Sequence, residues 1–261
     1  MSGPRYAELQ VTSHFSFLRG ASSCDELFAA AALLGIEALA VVDRNSLAGV
    51  VRAHEAAKAT GIRLIVGCRL DLADGMSLLV YPRDRAAYGR LCRLLSLGKS
   101  RGGKGLCHLE WADVVAYGEG LIAILLPDLA DDTCALQLRH LREAFGRDAY
   151  VALTLRRRPN DQLRIHELAN LATQMAVATV VTNDVLFHHP KRRVLQDVVT
   201  CIRHNITIDD AGFRRERHAD RHLKAPDEMH RLFARYPEAL ARTVAIAEQC
   251  RFSLDELAYQ Y

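Results

Sequence analysis

The alternation of short apolar runs with amphipathic helical stretches constrains the fold of this chain more than any other feature. Seven runs rich in leucine or β-branched residues have the length and composition of strands: 6–11, 37–42, 62–66, 76–81, 120–125, 149–154 and 177–181. Alternation on this scale predicts a parallel sheet covered by helices. The sequence has no GxGxxG motif and no P-loop, so we expect a closed barrel rather than a doubly wound nucleotide-binding fold.

Several of the predicted helices carry end signals. Ser23 and Glu26 form a capping box for a helix over 24–34, and Gly35 ends that helix. Further helices are predicted over about 47–60, 84–97, 226–235 and 237–250. A flexible, basic, glycine-rich loop is expected over 98–105.

Composition limits the classes of protein to which the chain can belong. Its 261 residues, half of them hydrophobic, suffice for one large α/β barrel or two small domains. The net charge of +3 is by itself weak evidence for a nucleic-acid partner. No apolar run approaches the ~18 residues of a membrane span. Seven cysteines without a CxxC pair, and no signal peptide, predict a reducing, cytoplasmic location.

The character of the sequence changes after residue 187. Residues 188–224 contain nine Lys or Arg, five Asp or Glu and five His. We therefore expect a barrel over 1–187 and a basic helical extension over 188–261. The extension suggests a surface near DNA, with nonspecific, salt-sensitive phosphate contacts. The candidate contacts are Lys191, Arg192, Arg193 and Arg203. A charged scaffold that does not touch DNA is an equally open alternative.

Polar residues follow the predicted strands at the end where parallel barrels carry their chemistry. These positions hold Gln10 and Thr12 at the end of the first strand, Asp43 and Arg44 at the end of the second, Arg69 at the end of the third and Asp184 after the seventh. A hydrolytic metal centre needs several His, Asp or Glu ligands within ~2.0–2.2 Å of each ion. The candidates are Asp43 and Asp184, with His14, Asp128, His188 and His189 as more distant ones. Arg44 and Arg69 would instead place fixed positive charge where a cation should bind.

Each candidate also has a purely structural interpretation. Asp43 fits the N-cap of the helix that follows, and Asp184 fits a turn or a helix cap. The histidine pair at 188–189 is typical of an exposed loop. The arginine run at 156–158 is typical of a solvated rim, although the rim of such a barrel would face a ligand or nucleic acid.

Three N-terminal segments carry a family resemblance: YAELQVTSHFSFLRGAS at 6–22, ALAVVDRNSLAGVVRAHEAAK at 38–58 and GIRLIVGC at 61–68. They resemble the PHP (polymerase and histidinol phosphatase) domain of bacterial DNA polymerase III alpha subunits. Three later segments are similar to the error-prone alpha subunit, which is associated with damage-induced mutagenesis: RRVLQDVVTCIR at 192–203, RHLK at 221–224 and CRFSLDELAY at 250–259.

This resemblance implies a distorted seven-stranded βα barrel of the PHP type, which is TIM-like, and a polymerase module downstream of residue 261. In metal-binding PHP domains the first strand ends in His-x-His, the second in Asp-His, the third in Glu and the last in Asp-x-His. The corresponding positions here are Gln10, Thr12, Asp43, Arg44, Arg69, Asp184 and Leu186. Because five of the seven ligands are replaced, the resemblance argues against the pyrophosphatase or exonuclease activity of some family members.

Three functions are compatible with these residues. The first is a metal-free, non-catalytic domain of an error-prone polymerase, a class that carries out translesion synthesis. It would need no cofactor, support the polymerase module in cis, reach DNA through that module and offer a surface to mutasome or replisome proteins. The second is a stand-alone metal-dependent phosphoesterase with Zn or Mn at a reduced site. The third is an interacting remnant without a polymerase module.

The retained aspartates need compensation in a metal-free domain. We expect Arg44 and Arg69 to replace the metal charge by pairing with Asp43 and Asp184.

Overall fold

The predicted strands are all present in the structure, a computed structural model that describes residues 3–216 and 218–257. Within these residues the strands are β1 (Ala7–Val11), β2 (Ala38–Val41), β3 (Arg63–Val66), β4 (Cys68–Asp71), β5 (Ser77–Pro82), β6 (Leu121–Leu125), β7 (Ala149–Leu153) and β8 (Ala178–Val181). Each of the seven predicted strands is confirmed to within one residue at either end. β4 was not predicted.

The helices are α1 (Cys24–Leu34), α2 (Val50–Thr60), α3 (Arg85–Gly102), α4 (Trp111–Tyr117), α5 (Asp132–Phe145), α6 (Asp161–Gln174), α7 (Arg193–His204), α8 (Pro226–Leu232) and α9 (Pro237–Gln249). The predicted capping box is confirmed, since Ser23 accepts a hydrogen bond from the Glu26 amide and Glu26 accepts one from the Ser23 amide. Gly35 ends α1 at a φ of 73°, in the left-handed region that glycine adopts without a steric penalty.

The strands form two sheets. β1, β2 and β3 are parallel neighbours, and β4 to β8 make a second sheet in chain order. An isolated bridge between Val11 and Val185 places the end of β1 beside the residues that follow β8. A second bridge joins Arg44 to Arg69. Because single bridges do not make a continuous ladder, a closed seven-stranded barrel is not confirmed for the described part of the chain.

β4 corrects the expectation of an all-parallel sheet. It pairs antiparallel with β5, and β5 pairs antiparallel with β6, whereas β6, β7 and β8 are parallel. Only Gly67 separates β4 from β3, so the sequence pattern shows one run instead of two. A Cβ atom on Gly67 would lie 2.7 Å from the Tyr81 ring. The glycine therefore lets the chain change sheets in close contact with β5.

The expected loop over 98–105 is mostly wrong, because α3 continues to Gly102. Gly98 lies inside this helix and faces the segment that leads to α4. A Cβ atom there would come within 2.6 Å of the Cys107 sulfur and 2.7 Å of Leu109. Gly98 is thus a packing residue that lets the helix approach its neighbour, rather than a helix stop.

The C-terminal helices share the core of the strands. α9 packs against β8 and β1, and its Ile246 and Ala247 belong to one buried cluster with strand residues. α8 ends at Leu232, three residues before the predicted end at 235. Residues 258–261, which complete the predicted extension, lie outside the described residues. No helix of the described ranges is long and apolar enough to cross a membrane.

Candidate functional site

Strand ends and the C-terminal segment surround a cavity of about 750 Å³. Among the described residues, seven arginines line it: Arg44, Arg69, Arg156, Arg158, Arg214, Arg215 and Arg221. Three acidic residues share the wall: Asp184, Glu216 and Asp220. The cavity therefore includes several positions at which the sequence predicted a site, but positive charge is in excess.

Asp43 is fully engaged by the loop that follows β1. Its carboxylate accepts hydrogen bonds from the Ser13 amide at 2.9 Å, the Ser13 hydroxyl at 2.8 Å and the Ser16 hydroxyl at 2.7 Å. Burial raises the pKa of Asp43, and the serine hydrogen bonds oppose that rise. The alternative of a helix cap is wrong, because α2 begins only after Gly49. Through its hydrogen bonds with Ser13 and Ser16, Asp43 instead holds the loop after β1 against the end of β2.

Asp184 is held by an arginine that the sequence analysis did not select. The Arg221 guanidinium lies 2.6 Å from the Asp184 carboxylate, and the side-chain amide of Gln10 donates a hydrogen bond to this carboxylate at 2.9 Å. Burial alone would raise the pKa of Asp184, but Arg221, Arg69 and Arg156 outweigh it and lower the pKa to about 2. Asp184 has a φ of 49°, in the left-handed region, but it lies in neither a turn nor a helix cap, so its structural interpretation is wrong.

Arg44 and Arg69 pair with a different carboxylate from the ones expected. Both contact Asp71 of β4, at 2.6 Å from Arg44 and 2.8 Å from Arg69. Burial, together with the neighbouring Arg69 charge, lowers the pKa of Arg44 to about 10. The predicted pairs with Asp43 and Asp184 are therefore wrong, although Arg69 still acts on Asp184 through its charge.

The remaining positions of the predicted site are buried or packed against other side chains. Thr12 is buried, and Leu186 packs with Ala21 and Phe187 in a small apolar cluster. His14 stacks on Phe15 with a centroid distance of 4.5 Å.

Three further candidates have other partners. The His188 ring bonds the Ser22 hydroxyl at 2.8 Å, and the His189 ring accepts from the Lys191 amide at 3.2 Å. Asp128 pairs with Arg156 and Arg158.

The donor set does not fit the metal centre of the fold family. Within residues 3–216 and 218–257, no three His, Cys, Asp or Glu side chains come together in a metal-binding group. Both retained aspartates already have charge or hydrogen-bond compensation from the chain itself. Arginines beside the cavity would repel a divalent cation, and they keep their proton near neutral pH.

The basic residues predicted to face nucleic acid do not line the cavity. Arg192 pairs with Glu26, and Arg193 pairs with Asp197 one helical turn away. Arg203 donates to the Leu18 carbonyl at 3.2 Å, whereas Lys191 is exposed. Their role toward DNA stays a prediction.

Glu8 is a buried carboxylate that contacts the cavity-lining residue Asn183, and the sequence did not predict its role. Glu8 accepts from the Tyr6 hydroxyl at 2.7 Å and from the Gln10 amide at 2.9 Å. Burial raises the pKa of Glu8 to about 7, against these hydrogen bonds and the Lys224 charge. Lys224 in turn donates to Asn183 at 2.9 Å. The sequence signal was weak, because Glu8 is a single acidic residue within an apolar strand and its contact with Asn183 is 175 positions away.

Asp71 and Arg221 are the most important residues that sequence reasoning missed. Asp71 follows Arg69 by two positions, which is the spacing that puts side chains on one face of a strand. This spacing indicates a shared face only if residues 68–71 form a strand, and that strand was not predicted. Arg221 lies far along the chain from Asp184 and carries no local signal at all.

The comparisons with known proteins agree with this architecture. The sequence profile of the PHP domain matches residues 8–175. The chain therefore belongs to the PHP domain family. Two solved structures share its mixed α/β fold: one described as a metal-dependent phosphoesterase, from Bifidobacterium adolescentis, and an amidohydrolase from Chromobacterium violaceum.

The first aligns with a TM-score of 0.53 and 14% identity over 70% of this chain and 88% of that chain. The second aligns with a TM-score of 0.51 and 16% identity over 69% and 87%. At such identities the likeness shows the fold alone.

Sequence similarity to curated proteins is much higher. Error-prone DNA polymerase 1 of Agrobacterium fabrum is 73% identical over all 261 residues, which make up 24% of that polymerase. Error-prone DNA polymerase 2 of Rhizobium meliloti is 71% identical over 98% of this chain and 24% of its own length. The chain thus spans about a quarter of the polymerases that it matches.

Proposed function

We propose that this chain is the metal-free, non-hydrolytic PHP domain of an error-prone DNA polymerase, and that it supports the polymerase module in cis. One observation carries the proposal: the two aspartates that remain at the site are compensated by the chain's own groups. Asp43 is bound by Ser13 and Ser16, and Asp184 by Arg221 and Gln10. A metal would have to displace these contacts and overcome the arginine charges nearby.

The proposal includes the distorted seven-stranded barrel and a boundary between 187 and 188. The barrel is supported by a buried cluster of alternate residues from β1, β2, β3, β5, β6, β7 and β8, which leaves out only β4. The region over 188–261 would then lead from the barrel toward the polymerase module. DNA contacts through that module, and binding of replisome or mutasome proteins, belong to the same proposal.

An apolar face on α7 is a suitable place for the polymerase module to dock. Val194, Val198 and Ile202 are 72%, 46% and 59% exposed, and they line a groove with Ile208. Such a face is costly to leave in water. We assign it to the polymerase module because relatives that match the chain throughout have about three quarters of their length outside the match.

Metal content and hydrolysis test the first part of the proposal. We expect no stoichiometric Mn or Zn by elemental analysis after metal loading and dialysis. We also expect no metal-stimulated hydrolysis of a generic phosphodiester. Bound metal together with hydrolysis that disappears in Asp43→Ala would instead support the stand-alone phosphoesterase and reject the proposal.

A chimaeric polymerase tests the scaffold role. In the Agrobacterium fabrum polymerase the matching quarter would be replaced by this chain, carrying Val198→Asp and Ile202→Asp. We expect a loss of primer extension and of thermal stability, because two charges would enter the interface. Leu136→Asp, at an exposed leucine on α5, is the matched control and should leave primer extension and thermal stability unchanged. Full activity of the α7 variant would reject this docking face.

A further inference from the structure

The cavity combines an excess of positive charge with hydrogen-bond donors that the chain does not use. In the part of the chain that the structure describes, seven arginines and three acidic residues line it. The Nε atoms of Arg156 and Arg215 are buried without a hydrogen-bond partner among the described residues. Buried polar groups of this kind are uncommon and costly. Arg156 and Arg215 both line the cavity, so an anion bound there would bring acceptors near two donors that the chain leaves unsatisfied.

Carboxylates beside these arginines hold several of them in position. Asp71 contacts Arg44 and Arg69, whereas Arg221 contacts both Asp184 and Glu216. Each guanidinium has five N–H donors, so Arg44 and Arg69, which share one carboxylate, keep donors for a second anion. The charge of Arg69 helps to lower the pKa of Arg44, which means that an incoming anion would relieve repulsion between the two.

No salt bridge among the described residues involves Arg214 or Arg215. These two residues come from a segment of the chain far from Arg44 and Arg69 in sequence. Several segments therefore contribute positive charge to the cavity, which suits a ligand with several anionic groups rather than one.

We propose that this cavity binds an oligophosphate anion, meaning two or more linked phosphates, through arginines instead of metal ions. The guanidinium fork matches phosphate oxygens in pairs. The volume of about 750 Å³ falls within the range of roughly 300–1,000 Å³ that is usual for small-molecule sites. The inference rests on the proposed function, because it takes the site to be free of metal.

The oligophosphate has two possible sources, which are an inorganic chain and a nucleotide. A preference for a nucleoside triphosphate over inorganic tripolyphosphate would identify the nucleotide as the source. The reverse preference would identify the inorganic anion.

Isothermal titration calorimetry of the 261-residue chain in EDTA tests the proposal. The probes are orthophosphate, pyrophosphate, tripolyphosphate, a nucleoside triphosphate and a short single-stranded DNA. We expect tripolyphosphate or the triphosphate to bind at least about tenfold more tightly than orthophosphate, with affinity that falls as salt is added. Arg215→Gln, and Arg156→Gln with Arg215→Gln, should each weaken binding by about tenfold or more.

Arg139→Gln is the matched control, because Arg139 is exposed on α5 and does not line the cavity. An equal loss of affinity in this control would overturn the proposal, as would tighter binding of DNA than of any oligophosphate. Thermal melts of the variants separate lost binding from lost folding, and Arg215→Gln breaks no salt bridge of the described residues.

The two proposals fail in different ways. No binding of any phosphate, with or without EDTA, would overturn the anion site and leave the metal-free domain intact. Binding that requires added Mn or Zn would overturn both proposals, since it would place a metal in the cavity.

Discussion

Replacing Arg221 by alanine would remove the main partner of a buried carboxylate. Asp184 has a side chain that is 12% exposed, and the Arg221 side chain is 26% exposed. The pair therefore lies largely out of water, where charges are screened less than at the surface. The substitution also removes the hydrogen bond from Arg221 Nε to the Asp184 carbonyl.

The expected size of the effect follows from the pKa of Asp184. Arg221, with Arg69 and Arg156, lowers that pKa from 3.8 to about 2 against the opposing effect of burial. This difference corresponds to roughly 2 to 3 kcal/mol of folding free energy at neutral pH. Since breaking a buried pair leaves an uncompensated charge, we expect Arg221→Ala to lower the free energy of unfolding by about 2 to 3 kcal/mol.

Urea unfolding at pH 7 measures this loss. A double-mutant cycle with Asp184→Asn isolates the pairwise part, and asparagine suits the position because it tolerates positive φ. We expect a coupling of about 2 kcal/mol. The control Arg52→Ala removes an exposed pair, in which the side chains are 70% and 64% exposed, and should cost less than about 1 kcal/mol.

The dependence on pH has a definite sign. Because the pKa of Asp184 is lower in the folded state, its stabilising contribution is complete above 3.8 and is lost as the pH falls toward about 2. The coupling should thus be nearly the same at pH 7 and pH 5. A coupling below about 0.5 kcal/mol, or one that disappears between pH 7 and pH 5, would refute the ion-pair explanation.

Three further predictions concern other parts of the molecule. Ser16→Ala should lower the free energy of unfolding by about 1–3 kcal/mol in urea, because buried Asp43 loses one hydrogen bond; an unchanged midpoint would contradict this. Gly98→Ala should lower the melting temperature, because the added Cβ atom would lie 2.6 Å from a cysteine sulfur. The control Gly89→Ala, in the same helix, adds a Cβ atom that meets nothing within 4 Å and should leave the melting temperature unchanged. The pKa of Glu8 is raised from 4.5 to about 7 in the folded state, so the free energy of unfolding of the wild type should fall by about 3 kcal/mol as the pH rises from 4.5 to 7. Urea titrations across this range should show that Glu8→Gln removes the pH dependence. A pH dependence that persists in the variant would exclude Glu8 as its source.

Local sequence patterns predicted most of the fold. The seven strands were found to within one residue because each is an apolar run between turn or helix signals, and α1 was found because its capping box is local. Errors arose where the determining contact is distant in sequence. β4 depends on pairing with β5, and the length of α3 depends on the packing of Gly98 against Cys107 and Leu109.

The candidate site was predicted only in part, for the same reason. Positions 10, 43, 44, 69 and 184 lie at or just beyond the ends of the predicted strands, and strand ends can be located from sequence. Their partners cannot, because a carboxylate shows no preference in the sequence for one arginine over another. Asp184 pairs with Arg221, 37 positions away, and Arg44 pairs with Asp71 on a strand that local pattern did not separate from β3.

The sequence by itself determined the alternation of strands and helices, the PHP resemblance and the replacement of five family ligands. Those properties depend on residue type and short-range order, which the chain carries in every conformation. The tertiary structure alone decided which charges compensate each other and that arginines from distant segments share one cavity. Electrostatic pairing depends on distance and burial in space, and both are fixed only when the sheets and the C-terminal segment pack together.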